Sequence, residues 1–242
     1  MLEQARAELA PGGVLRAGIN MSNFLLVTGQ TPEGDPDGVS PDMARAVAER
    51  LGVGVEFVPF KTPGELADAA VEDLWDIGNI GAEPQRAEVM DFTAAYAEIE
   101  ATYLVPPGST IQSIDEVDRP GNRISVSKGS AYGLWLENNI KQAELKSVEG
   151  GDAAFDQFVN DKLEALASLR PRLVTEAEKL PGSRILDGQF AAVQQAVGVN
   201  KGNDAAYAWL KAFVEASKAN GLVASFIDKF GVQGKLSVAP LA

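Results

Sequence analysis

The chain has 242 residues, 34 acidic against 21 basic, a formal net charge of −13, and a 45% hydrophobic, 23% charged composition typical of a globular protein with a sizeable core. The acid surplus argues against a nucleic-acid backbone or an anionic membrane as partner and leaves a small molecule or a protein. With no cysteine and no histidine, disulfides, thiol nucleophiles, Cys/His zinc sites and Ser-His-Asp triads are excluded, and no cofactor is expected.

In chain order, Leu2 to Leu9 has helical spacing and stops at Pro11-Gly12-Gly13, and Val14 to Ile19 reads as a strand that ends in the loop Asn20 to Phe24. Thr28 to Gly38, rich in Gly, Pro and Asp, reads as an exposed turn. A helix follows, with Ser40 as its cap, Met43, Val47 and Leu51 on one apolar face and Gly52 at its exit. Val53 to Phe60 alternates as a strand, Thr62-Pro63-Gly64-Glu65 is a capping box for a helix running to about Leu74, and Asp76 to Ile80 is the next strand. This β-α-β-α-β order predicts a parallel sheet with ligands near the carboxyl ends of its strands. Asn20 to Phe24 and Gly78 to Gly81 both lie at such ends.

The segment from Trp75 to Tyr96 carries the most specific signal. Gly78 and Gly81 leave backbone amides open to a ligand, and Arg86 follows with a rigid fork suited to a carboxylate. The plain alternative is that Arg86 pairs with Glu83 or Glu88 on a solvated face.

Ile99 to Val105 is a long strand, and a second β/α unit follows it. Ser113-Ile114-Asp115-Glu116 reads as a capping box and Arg123 to Val126 as a strand. Lys128-Gly129-Ser130 then leads into a helix from Ala131 to about Lys141, a potential anion cradle. Leu145 to Val148 reads as a strand, Asp152 to Asn160 as a helix, Leu163 to Leu169 as a buried strand ending at Arg170-Pro171, and Arg184 to Leu186 and Phe190 to Val199 as strands. Asp204 caps a helix carrying Tyr207, Leu210, Phe213 and Val214, and Leu222 to Phe230 forms the last helix. The opening M-L-E-Q-A-R-A-E-L-A-P lacks the basic and apolar regions of a signal peptide. Two places are therefore expected: periplasmic after loss of a leader, or cytoplasmic.

Five segments resemble bacterial extracellular solute-binding proteins of family 3, the polar amino-acid receptors of ABC importers. V-L-R-A-G-I-N resembles the first strand, and G-V-S-P-D-M-A-R-A-V-A-E-R-L-G resembles G-F-D-V-D-L-A-K-A-I-A-K-R-L-G. A-E-P-Q-R-A-E-V-M-D-F-T-A-A-Y resembles the T-P-E-R-x-x-x-x-x-F-S-x-P-Y signature, Ile124 to Ser130 resembles V-G-V-x-x-G-T, and Ala219 to Leu222 resembles A-D-G-T.

The resemblance implies an α/β, two-lobed fold of the type II periplasmic-binding-protein kind with two hinge strands. Lobe one would comprise residues 1–98 and 196–242 and lobe two residues 99–195, closing on the ligand. It implies that Arg86 holds the ligand carboxylate, Ser130 with the neighbouring amide of Ala131 assists, and the backbone of Gly78, Asn79 and Gly81 meets ligand polar groups. Asn23 stands where the family's ligand-stacking aromatic is expected, with Phe24 next to it. Leu169 stands where an acid would hold the ligand ammonium, and Arg170 adds a second cation. The function implied is a non-catalytic, monomeric receptor that captures a small carboxylate or polar metabolite for an ABC transporter permease. The alternatives are an enzyme of the cyclohexadienyl dehydratase type, with Glu83 or Glu98 as its acid, and a cytoplasmic ligand-sensing module.

Overall fold

The computed structural model describes residues 1–242. The chain divides into two compact units, Met1–Glu98 with Gln194–Ala242, and Ile99–Val193.

In the first unit the strand Val14–Asn20 lies between Gly54–Phe60 and Ile77–Gly81 and runs parallel to both. This is the parallel sheet that the alternation of strands and helices predicts. Beyond Ile77–Gly81 the sheet turns antiparallel, with Gln195 opposite Gly81 and Val199 opposite Ile77. The short strand Met90–Phe92 pairs there too, with Gly198 opposite Phe92. Met43, Val47 and Leu51 of the helix Val39–Leu51 are buried, as their spacing requires, and Gly52 ends the helix in the left-handed region.

Three sequence expectations change in this unit. Ser40 is not the cap: the helix begins at Val39 with Gly38 before it at φ 152°, where any Cβ would sit 2.2 Å from the Leu26 carbonyl oxygen. The capping box at Thr62 forms, its side chain accepting from the Glu65 amide at 3.1 Å, but the helix stops at Asp68 rather than near Leu74. Tertiary contacts end it. The Leu66 carbonyl, which a longer helix would use, accepts instead from the Trp75 indole at 2.9 Å, and Arg16 takes the Asp73 carbonyl at 2.7 Å. Asp204 is the first residue of the helix Asp204–Ala219 and not its cap; the Ala206 amide is satisfied by Glu8 of the first helix at 2.7 Å.

In the second unit the strand Ala165–Leu169 pairs antiparallel with residues 101–104 and parallel with Arg123–Ser127, which in turn pairs parallel with Glu144–Val148. Tyr103, Ile124, Val126 and Leu136 pack on one side, and Phe158, Leu163, Leu166 and Leu173 form a second cluster. Ser113 makes no side-chain cap; Glu116 instead accepts from the Gln112 amide at 2.7 Å over a single 3-10 turn. A helix that the sequence reading lacks, Arg170–Lys179, starts at the end of Ala165–Leu169. Proline at its second position needs no amide partner there, so Arg170-Pro171 opens a helix as readily as it closes a strand.

Candidate functional site

The strand Ile77–Gly81 is buried throughout, and the chain leaves it through Ala82, whose amide is held by the Gln194 carbonyl at 2.7 Å. Glu83 then closes a turn: its carbonyl accepts from the amides of Arg86 and Ala87, both at 3.0 Å, and Arg86–Glu88 form a 3-10 helix. This turn points the Arg86 guanidinium back at the strand end, where Nη1 donates to the Gly81 carbonyl at 2.7 Å.

Arg86 is only 4% exposed, so it does not lie on a solvated face. Burial lowers its pKa to about 10, opposed by the charge of Glu83. Glu83 is 9% exposed, and burial pushes its carboxyl up to about 7, opposed by the charge of Arg86. A buried cation and a buried carboxyl thus stand together at a strand end. A solvated Arg–Glu pair would be worth little; here the low dielectric strengthens the interaction of each with any ligand that reaches it.

The other expected site residues fall into place unevenly. Gly78 does not offer an open amide. It sits mid-ladder, opposite Gly18 on one side and Gly198 on the other, and a Cβ there would come within 2.9 Å of Leu66 and 3.1 Å of Trp75. The glycine is there to seat the indole. Asn79 is buried and donates through Nδ2 to the Ser40 carbonyl at 2.9 Å, tying the strand to the helix Val39–Leu51. Asn23 is buried and its Oδ1 accepts from the Leu25 amide at 3.2 Å, so its side chain shapes its own turn. Phe24, by contrast, is 43% exposed. The strands that carry these two groups are neighbours, with Ile19 opposite Asn79.

In the second unit Ser130 caps the helix Ala131–Asn139. Its hydroxyl donates to the Ser127 carbonyl at 2.7 Å and accepts from the Gly133 amide at 3.1 Å, and Ala131 is buried behind it. Leu169 ends its strand and packs against the apolar core. Arg170, expected as a second cation for the ligand, has its fork engaged inside the unit: Nε donates to Glu100 at 2.5 Å, and the remaining nitrogens donate to the carbonyls of Leu186 and Gly188. The strands Arg123–Ser127 and Ala165–Leu169 are parallel neighbours; Ser130 lies three residues past the end of the first and Leu169 ends the second. The sequence reading offered Glu83 as a solvated partner of Arg86 or as an enzyme's acid. It is buried in the turn whose backbone bonds join it to Arg86, which no periodicity reports.

The family model for bacterial extracellular solute-binding proteins, family 3, matches residues 15–233. The chain belongs to this family. Its relatives within the solute-binding proteins include the L-cystine-binding protein of Escherichia coli (strain K12), 24% identical over 180 residues, 72% of this chain and 66% of that protein. The cyclohexadienyl dehydratase of Pseudomonas aeruginosa is 27% identical over 158 residues, 64% of this chain and 58% of the enzyme. The chain thus spans about two thirds or less of the length of these two relatives. Among solved structures, a putative binding component of an ABC transporter from Wolinella succinogenes, complexed with lysine, superposes with a TM-score of 0.74 at 21% identity, covering 93% of this chain and 98% of that one. The fold is therefore that of the type II periplasmic binding proteins.

Proposed function

We propose that this solute-binding protein captures a small carboxylate-bearing metabolite at Arg86 and delivers it to an ABC transporter permease without chemically changing it. The observation that carries this reading is the buried Arg86 guanidinium, held at a strand end by the Gly81 carbonyl. A guanidinium shielded from water binds a carboxylate bidentately far better than an exposed one does. Family membership supports a receptor, and the cystine-binding relative supports an amino-acid-like solute. Family membership also favours a place outside the cytoplasmic membrane, and no helix is long and apolar enough to cross one. Ser130 and the amide of Ala131 are the second group we assign to ligand contact.

The test is a thermal-shift and calorimetric screen of wild-type protein and Arg86→Lys against amino acids, dicarboxylates and aromatic acids. Lysine keeps the charge and loses the fork, so binding is expected to weaken at least about tenfold while the protein stays folded. Unchanged affinity in a folded Arg86→Lys would remove the reading. Glu83, a buried carboxyl pushed up to about 7, is the observation that favours a second reading, a dehydratase with Glu83 as its acid. Turnover of a prephenate-like acid with loss of water and carbon dioxide would establish that reading instead.

A further inference from the structure

Glu83 differs in kind from the other buried acids of the chain. Asp76 receives the amide, Nε and Nη2 of Arg16, Asp42 receives Nη1 of Arg45 and Nζ of Lys229, and Glu176 receives Nε of Arg172. Glu83 is as deeply buried as Asp76, both at 9% exposure, yet what acts on its carboxyl is burial and the charge of Arg86, with no hydrogen bond contributing. Its backbone carbonyl, not its side chain, makes the turn to Arg86 and Ala87. Its oxygens are also not among the sealed polar atoms of the unit, which include Asn79 Oδ1 and the Ser40 hydroxyl. A carboxylate largely withdrawn from water without donors is costly. Placed beside a buried guanidinium, it makes a pair of opposite charges that fits a ligand carrying the same two charges in reverse order.

We propose that the Glu83 carboxylate accepts hydrogen bonds from a protonated amine, or another cationic nitrogen, of the ligand whose carboxylate Arg86 holds, making Glu83 a specificity-determining residue. This rests on the carboxylate reading of Arg86. A ligand lacking the cationic nitrogen leaves a buried acid without a donor and is rejected for that reason. The chemistry also predicts a proton balance. Below about pH 7 the free protein holds a proton on Glu83; a ligand ammonium stabilises the carboxylate, and that proton passes to solvent while the ligand keeps its own. Arg86 is the charged group that acts on Glu83, and it stays protonated throughout this range.

The experiment is calorimetry on the full chain with L-leucine and L-glutamine, their deaminated analogues 4-methylpentanoate and glutaramate, and putrescine, using wild type, Glu83→Gln and Arg86→Lys. The expected result is that wild type prefers at least one amino compound over its deaminated partner by about tenfold or more, and that Glu83→Gln reduces the preference to about threefold or less. Paired titrations near pH 6 in buffers of different ionisation heat should show proton release on binding to wild type and none with Glu83→Gln. A preference that survives in Glu83→Gln, or no preference in wild type, overturns the proposal. If no carboxylate binds, or Arg86→Lys binds them unchanged, the carboxylate reading fails on its own. Putrescine then decides for Glu83: binding that is lost in Glu83→Gln supports its role as a cation acceptor, and absence of putrescine binding rejects it.

Discussion

Arg16 and Asp76 are joined through both main chain and side chain: the Arg16 amide donates to Oδ2 at 2.6 Å and Nη2 donates to Oδ1 at 2.7 Å, while Nη1 reaches the Asp73 carbonyl at 2.7 Å. The second unit repeats the device. Arg123 donates from its amide and Nε to Glu164 Oε2 at 2.8 and 2.9 Å, and from Nη2 to the Lys162 carbonyl at 2.8 Å. The two carbonyls gripped in this way belong to the two non-glycine residues with positive φ, Asp73 at 53° and Lys162 at 51°. An arginine on the central strand thus holds the strained turn that leads into the neighbouring parallel strand in each unit.

Arg16→Ala is accordingly expected to cost about 1–3 kcal/mol, because it leaves buried Asp76 with only its amide donor. Arg123→Ala should cost less, since Glu164 is 31% exposed against 11% for the Asp76 side chain and water can replace the lost donors. Urea unfolding midpoints of the two variants measure this; a larger loss for Arg123→Ala would contradict it.

Gly78→Ala should destabilise the protein by about 1–3 kcal/mol, since the added methyl meets Leu66 and Trp75 on a wall with little freedom to move. The near-ultraviolet circular dichroism of Trp75 should change with it. A fully stable Gly78→Ala that loses ligand affinity would instead return Gly78 to the binding surface.

The pH dependence of stability follows from Glu83. Its carboxyl is raised from 4.5 to about 7 in the folded state, so between those values the folded protein binds a proton that the unfolded chain has released. This contribution to stability is fully present below about pH 4.5 and is lost as the pH rises through about 7. Glu176, also raised by burial, acts in the same direction, whereas Glu164, lowered by Arg123, adds stability that is lost on acidification. Glu83→Gln should therefore gain stability over wild type near pH 8 but not near pH 4. Denaturant midpoints at the two pH values check it, and an equal difference at both would show that Glu83 titrates normally.

Ser130→Ala should cost about 1 kcal/mol through loss of the cap to Gly133, and Ser130→Gly a few tenths. If the hydroxyl also meets ligand, both variants bind more weakly although only one is markedly destabilised. Affinity that follows stability would confine Ser130 to capping.

Much of the architecture is legible in the residues alone, because it depends on short-range regularities. The spacing of Met43, Val47 and Leu51, the Thr62 capping box and the alternation of strands with helices each describe a local period or a local hydrogen bond, and these determine the elements of a parallel α/β sheet. The Arg86 segment could likewise be read, because a family signature preserves its spacing. What the sequence could not decide was where long-range contacts override local preference. The helix after Thr62 stops early where the Trp75 indole takes the Leu66 carbonyl, and the turn beyond it is held by Arg16, 57 positions from Asp73. Gly78 seats an indole, and Arg170 turns to Glu100, only because non-adjacent strands and turns meet. The sequence by itself determined the fold class and the family, and it singled out Arg86. Only the tertiary structure decided that Glu83 is buried beside that arginine without donors, since burial is set by the whole packed unit and not by any residue's neighbours in the chain.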